Sequence, residues 1–196
     1  KMEDSQTIRN IVRDIISIYK VENDGEFYLP EESQNNEEGE LEYFGKHGDV
    51  SVELTLEQSK DVDDYIANAY FARKENVIEV KVIYNPEKKE KIVYDLIGEL
   101  NELIGHEMRH LYQKSMGTYN LDDNQEDNDT PPFEYYSDPK EIDAQVYGFR
   151  RMKKITRRPF EELVRNWFKT HKNIHRLNPE EEQKIIKMIL DYNSKI

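Results

Sequence analysis

Residues 91–116 read KIVYDLIGELNELIGHEMRHLYQKSM, and the reading of this stretch decides the fold. Val93, Ile97, Leu100, Ile104, Met108 and Leu111 recur at three- and four-residue spacing, with Lys91, Asp95, Glu99 and Glu102 facing elsewhere. That pattern predicts one long amphipathic helix, and Gly117 follows it as a helix stop should. Near its end stands His106-Glu107-Met108-Arg109-His110, an H-E-x-x-H pattern. Side chains four apart on a helix lie on one face, so both imidazoles can reach one metal ion. Glu107 beside them is placed to take a proton from a metal-bound water. With 5 His in 196 residues, chance occurrence of the pattern is on the order of one chain in a hundred or rarer. At roughly 100° per residue the apolar stripe centres near Val93, Leu100 and Leu111. Glu107 falls at its edge, with His110 and His106 further toward the polar side. Half-buried shoulder positions are expected for all three, and a pair of solvated surface histidines is the bland alternative.

The rest of the composition sets limits. A length of 196 residues suits a single domain over 1–196, with an N-terminal helix and strands in 1–90 and the active-site helix and a C-terminal helical part in 91–196. The chain is 36% hydrophobic and 35% charged, enough for a modest core, while a mean hydropathy of −0.95 implies long solvated segments. Zero Cys excludes disulfides, thiolate catalysis and Cys-based zinc sites, so any metal must be held by His and carboxylates. A net charge of −13 argues against nucleic acid as a partner. The one basic run, Arg150, Arg151, Lys153 and Lys154 with Arg157 and Arg158, reads as a solvated helix face. No stretch has the apolar length of a membrane span and no secretory h-region is visible. The chain begins Lys1-Met2, so the lack of a leader says little. The expectation is a soluble protein without membrane partners, tilted toward the cytoplasm, with compartment and oligomeric state open.

Along the chain, residues 4–20 read as an amphipathic helix carrying Ile8, Ile11, Val12, Ile15, Ile16 and Tyr19. The polar stretch from Glu31 to Gly39 reads as a loop. Val50, Val52, Leu54 and Leu56 alternate with polar residues, predicting a half-buried strand over 49–56. Residues 61–73 are expected as a short helix carrying Tyr65, Ile66, Ala69 and Tyr70, and 76–84 as a second strand ending at the Asn85-Pro86 turn. His47, between Gly45 and Gly48, reads as a turn residue. The stretch from Gly117 to Asp138, with Asp122, Asp123, Glu126, Asp127 and Asp129, lacks the glycine and ligand spacing of an EF-hand and reads as a mobile acidic loop. Helices are expected over 139–153, 159–170 and 179–192. His171 and His175, four apart but without a Glu beside the first, read as a solvated pair.

A catalytic zinc usually takes three protein ligands and leaves a fourth position for water. A third His six residues after His110 would mark a metzincin, but Met116 stands there and Gln113 stands where that class has Gly. The third ligand must come from further along. In Ser137-Asp138-Pro139-Lys140-Glu141-Ile142-Asp143-Ala144, Pro139 starts a helix and puts Glu141 in its first turn. Ile142, Val146 and Phe149 form the core stripe, while Glu141, Ala144, Gln145 and Gly148 line the neighbouring face. The small Ala144 and Gly148 would let this helix approach the H-E-x-x-H helix closely enough for Glu141 to reach a shared ion. Asp138 with Glu141 also resembles a capping box, which needs no metal. Asp143 is a second candidate ligand, or a group that orients a histidine from behind.

His106-Glu107-x-x-His110 followed by Glu141-x-x-Ala144 resembles the gluzincin group of zinc metallopeptidases, including the lethal-factor-like toxin peptidases and the ImmA/IrrE-like regulatory peptidases. The resemblance covers roughly residues 77–150. It implies a zincin-like α+β fold: a small, mostly antiparallel sheet packed on the active-site helix, followed by C-terminal helices. Such sheets carry an exposed edge strand that can pair with an extended peptide; which strand that is here stays open. The resemblance also implies a catalytic Tyr shortly before the third ligand, where Tyr135 and Tyr136 lie, although with 13 Tyr in the chain a chance neighbour is the simpler reading.

The expected function is therefore a zinc-dependent peptidase acting on a protein or peptide. His106, His110 and Glu141 would hold Zn²⁺, and Glu107 would serve as general base. The rivals are a metal-binding but non-catalytic module on the same scaffold and a regulatory peptidase with one narrow substrate.

Overall fold

A computed structural model describes residues 2–24, 33–35, 40–120 and 129–196. The chain opens with helix α1 (Met2–Asp24) and continues through strands β1 (Ser33–Asn35), β2 (Leu41–His47), β3 (Val50–Gln58), β4 (Tyr65–Ala72) and β5 (Val77–Tyr84). Helix α2 (Val93–Met116) follows, then α3 (Pro132–Ser137), α4 (Pro139–Thr156), α5 (Phe160–Thr170), α6 (Lys172–His175) and α7 (Pro179–Lys195). The five strands form an open sheet in the order β1-β2-β3-β5-β4. All neighbours are antiparallel except β3 and β5, which run parallel. This is the α+β architecture expected: a mostly antiparallel sheet on the H-E-x-x-H helix, with helices after it.

Alternation explains why the sheet is one-sided. Val50, Val52, Leu54 and Leu56 of β3 and Ile78, Val80, Val82 and Tyr84 of β5 are buried, while Glu53, Glu79 and Lys81 point away. One face lies on a core built with α1 (Ile8, Ile11, Ile15, Tyr19) and α2 (Leu96, Leu100, Ile104), and the other meets water. Asn85 closes the β5 end. Its side chain accepts from the Glu87 N–H and donates to the Val62 carbonyl, and its backbone N–H reaches Asp64. A second apolar cluster joins Tyr136, Phe149, Phe160, Leu163, Phe168 and Ile185 from the C-terminal helices.

Several expectations need correction. Residues 61–73 are not a helix: β4 occupies 65–72, and Ala67 and Phe71 are its buried inward positions. Helical spacing at Tyr65, Ile66, Ala69 and Tyr70 coincides with a period-two pattern at Tyr65, Ala67, Ala69 and Phe71, and pairing with β5 decides for the strand. Strand β2 was not anticipated; His47 is its last residue, the turn falls on Gly48 and Asp49, and the His47 imidazole meets Asp14 at 3.3 Å. Of the stretch read as a loop over 31–39, residues 33–35 pair with β2 and the others lie outside the described residues. Residues 132–137 of the acidic segment form α3, while Asp122, Asp123, Glu126 and Asp127 lie outside the described residues. In the basic run Arg151 is buried, bonded to Asn101 and Ser5, whereas Arg150 lies exposed against the end of α7. Among the described residues no helix is long and apolar enough to cross a membrane.

Candidate metal centre

Helix α2 ends where Gly117 adopts φ 65°, its N–H capping the Gln113 and Lys114 carbonyls. Helix α4 begins at Pro139, with Asp138 as N-cap accepting the Lys140 N–H at 3.0 Å. Glu141 therefore does not complete a capping box: Asp138 caps alone, and the Glu141 carboxylate turns into the space between the two helices. The helices meet glycine to glycine. A Cβ on Gly148 would stand 2.7 Å from the Glu102 carbonyl oxygen, and one on Gly105 3.5 Å from the Gly148 Cα. This close approach, expected from Gly148, brings Glu141 to the histidines.

The donor atoms converge. His106 Nε2 lies 3.1 Å from Glu141 Oε2, His110 Nε2 lies 3.2 Å from Glu141 Oε1, and the two Nε2 atoms are 3.1 Å apart. Ligand atoms held about 2.0–2.1 Å from a tetrahedral zinc stand roughly 3.3 Å from one another, so this triangle has the size of one face of such a site. His106, His110 and Glu141 form a buried group able to hold a metal ion. The set is two imidazoles and one carboxylate, and it leaves a fourth direction for a further ligand. His106, Glu107 and His110 are buried rather than half-buried as the wheel suggests, because α4 covers that shoulder of α2.

The electrostatics suit a cation. Burial disfavours a charge on His106, yet its hydrogen bond to Glu141 and the charges of Glu107, Glu141 and Glu102 outweigh this and raise its pKa to about 9. Burial would raise Glu141 too, but the His110 charge and the two imidazole contacts hold it well below the usual carboxylate range. A proton on His106 stands where a metal would place its charge. Glu107 is buried beside them and accepts the backbone N–H of Phe71, on edge strand β4; burial pushes its pKa up against the pull of His106 and His110. Lys114, on the last turn of α2, donates to the Arg73 carbonyl and to Asn76 Oδ1, holding the β4–β5 turn beside the site.

Behind the ligands lies a polar network. Gln113 Nε2 donates to the Lys140 carbonyl (2.9 Å) and Asp143 Oδ2 (2.8 Å), both acceptors only, so Gln113 Oε1 faces His110 Nδ1 at 2.9 Å. That contact puts the proton on Nδ1 and leaves Nε2 free for the centre. Asp143 also receives Arg109 at 2.7 and 3.2 Å and the Tyr192 hydroxyl of α7 at 2.5 Å. Of the two expectations for Asp143 the structure supports the second, an outer group that orients a histidine, here through Gln113. Sequence reasoning passed over Gln113, although its position three after His110 puts it on the same helix face. Tyr192, 49 residues from Asp143, carries no local signal.

Tyr136 is buried, and burial with the charges of Glu141 and Glu102 lifts its hydroxyl to about 12. Tyr135 packs edge-on against its ring at 5.0 Å and is only half-buried. Glu102, one turn before His106, is buried with Oε2 unpartnered among the described residues, and burial raises its pKa to about 7. His171 and His175 are not a solvated pair. His175 is 1% exposed, its Nε2 on the Phe168 carbonyl and its Nδ1 accepting the Leu177 N–H. His171 stacks on Trp167 and bonds to Glu99 at 2.9 Å.

No family model matches the chain, and neither a curated protein nor a solved structure matches it significantly.

Proposed function

We propose that the protein is a zinc metallopeptidase of the gluzincin kind, with His106, His110 and Glu141 as the metal ligands and Glu107 as general base. The observation that carries the reading is a second carboxylate, Glu107, buried beside a ligand triangle of zinc-site size and tied to the edge strand of the sheet. Two imidazoles and one carboxylate suit zinc, and no Cys competes for it. Zinc held there would supply the Lewis acidity that polarises a scissile carbonyl and acidifies water. Glu107, its pKa raised by burial, takes the proton of the attacking water and returns it to the leaving amine. Strand β4 is the edge beside Glu107, so an extended protein or peptide substrate pairs with it through main-chain hydrogen bonds. The Tyr136 hydroxyl feels the Glu141 charge, which makes it a candidate to steady the developing oxyanion, and Tyr135 packs against its ring.

A second reading, a metal-binding but non-catalytic module, draws on the way His106, His110 and Glu141 already stand in contact with one another. It gives Glu107 no task. The first test is metal analysis of purified wild type beside Glu141→Ala: about one zinc per chain is expected in the wild type and a large loss in the variant. Unchanged zinc in Glu141→Ala would remove Glu141 from the ligand set.

A further inference from the structure

A cavity of about 500 Å³ lies beyond the metal centre, between the start of β4, the first turns of α2 and helix α5. Its floor is apolar. Leu163, Met152 and the Trp167 ring line it, and Gly98 keeps it open where a Cβ would come within 3.1 Å of Thr156. Its wall is polar and mostly acidic, with Asp64, Asp95 and Glu99 against Arg158 and His171. Both cations carry carboxylates of their own: Arg158 is held by Glu162 at 2.6 Å and His171 by Glu99 at 2.9 Å. Asp64 meets Lys88 at 3.3 Å. Asp95 alone of the wall carboxylates has no hydrogen-bonded or ion-paired partner among the described residues, and its charge reaches Tyr65 across the cavity. Asp95 is exposed, whereas the Trp167 indole N–H is buried without a partner among the described residues.

The cavity shares strand β4 with the metal centre. Phe71 donates to Glu107, while Tyr65, Ile66 and Ala67 line the cavity. Four to six residues of strand, roughly 13–20 Å, separate the two. A peptide paired with β4 through the centre therefore passes the cavity mouth, where Tyr94 and Ile174 stand exposed.

We propose that this cavity is a specificity subsite for a basic side chain, Lys or Arg, of the bound peptide, several residues from the bond cut. The aliphatic stem lies on Gly98, Leu163 and the Trp167 ring, and the cation reaches Asp95. The proposal rests on the peptidase reading for the nature of its ligand, but its test does not depend on turnover. Blocked ten-residue alanine-based peptides carrying one Arg, Leu or Glu, moved one position at a time, are titrated against zinc-loaded Glu107→Gln protein. Emission of Trp167, the only Trp in the chain, reports occupancy. Arg at one or two positions should bind about tenfold tighter than Leu or more, shift the emission, and lose its advantage in Asp95→Asn. Equal affinity for Arg and Leu at every position, no binding by any peptide, or a preference untouched by Asp95→Asn overturns it. Zinc content measured on the same samples keeps a failure of the metal centre distinct from a failure of the cavity.

Discussion

Gln113 decides how His110 is presented. Its amide nitrogen is committed to two pure acceptors, so its oxygen must receive the His110 Nδ1 proton. The imidazole is thereby fixed in the tautomer that leaves Nε2 for a metal, and Asp143, with Arg109 and Tyr192 on it, holds the amide in place. Outer partners of this kind typically contribute 10–100-fold in metal affinity, so Gln113→Ala should weaken zinc binding by about that factor with the fold intact. Competitive chelator titration checks it, and an unchanged affinity would show that the amide orients nothing. Glu107 presents the opposite case. Nothing in the described structure neutralises it except the histidines and one backbone N–H, and burial raises its pKa, as the proposed role of general base requires.

The elements that make the centre are α2 and α4, and their contact is a glycine contact. In a helix interior Gly→Ala ordinarily gains up to about 1 kcal/mol. At position 148 the new Cβ would sit 2.7 Å from the Glu102 carbonyl, against backbone that cannot turn aside. Gly148→Ala should therefore destabilise by about 1–3 kcal/mol and, by pushing Glu141 away from the histidines, lower zinc affinity as well. A variant that melts at or above the wild-type temperature and keeps its zinc would contradict the packing described. The pattern on α2, its Gly117 stop, and Pro139 with Gly148 on α4 were all legible in the sequence, because helix periodicity and metal-ligand spacing are local signals. Strand β4 was not. Tyr65, Ile66, Ala69 and Tyr70 fit a helix as well as Tyr65, Ala67, Ala69 and Phe71 fit a strand, and the partner that settles the matter, β5, is supplied by the fold. Strand β2 was missed because Gly45 interrupts its inward residues after Leu41 and Tyr43 and leaves too weak an alternation. The burial of the His-His-Glu group also lay beyond a single-helix wheel, since α4 rather than α2 supplies the cover.

At the scale of the molecule two apolar clusters must hold together, the sheet core beneath α2 and the C-terminal helices beyond α4. The candidate metal centre lies between α2 of the first and α4 of the second, and the His171–Glu99 contact joins α2 to the residue that caps α5. Burial opposes a charge on His171, but the hydrogen bond and charge of Glu99 prevail and raise its pKa above 6.5. A group raised on folding stabilises fully below its unfolded pKa and loses that contribution as pH climbs through the folded value. The stability gap between wild type and His171→Phe, which keeps the stacking on Trp167, should thus be full below about pH 6.5 and shrink as pH rises above it in urea unfolding. A gap constant with pH would mean the pair does not tie the clusters through charge. The account of the whole molecule as a zinc peptidase turns on Glu107, and the most direct measurement is cleavage of a peptide library by zinc-loaded wild type and Glu107→Gln side by side. The wild type should cut, and the variant should hold equal zinc while losing about 10²–10⁴-fold or more in rate. Equal cleavage by both, or a zinc-replete wild type that cuts nothing, would contradict it.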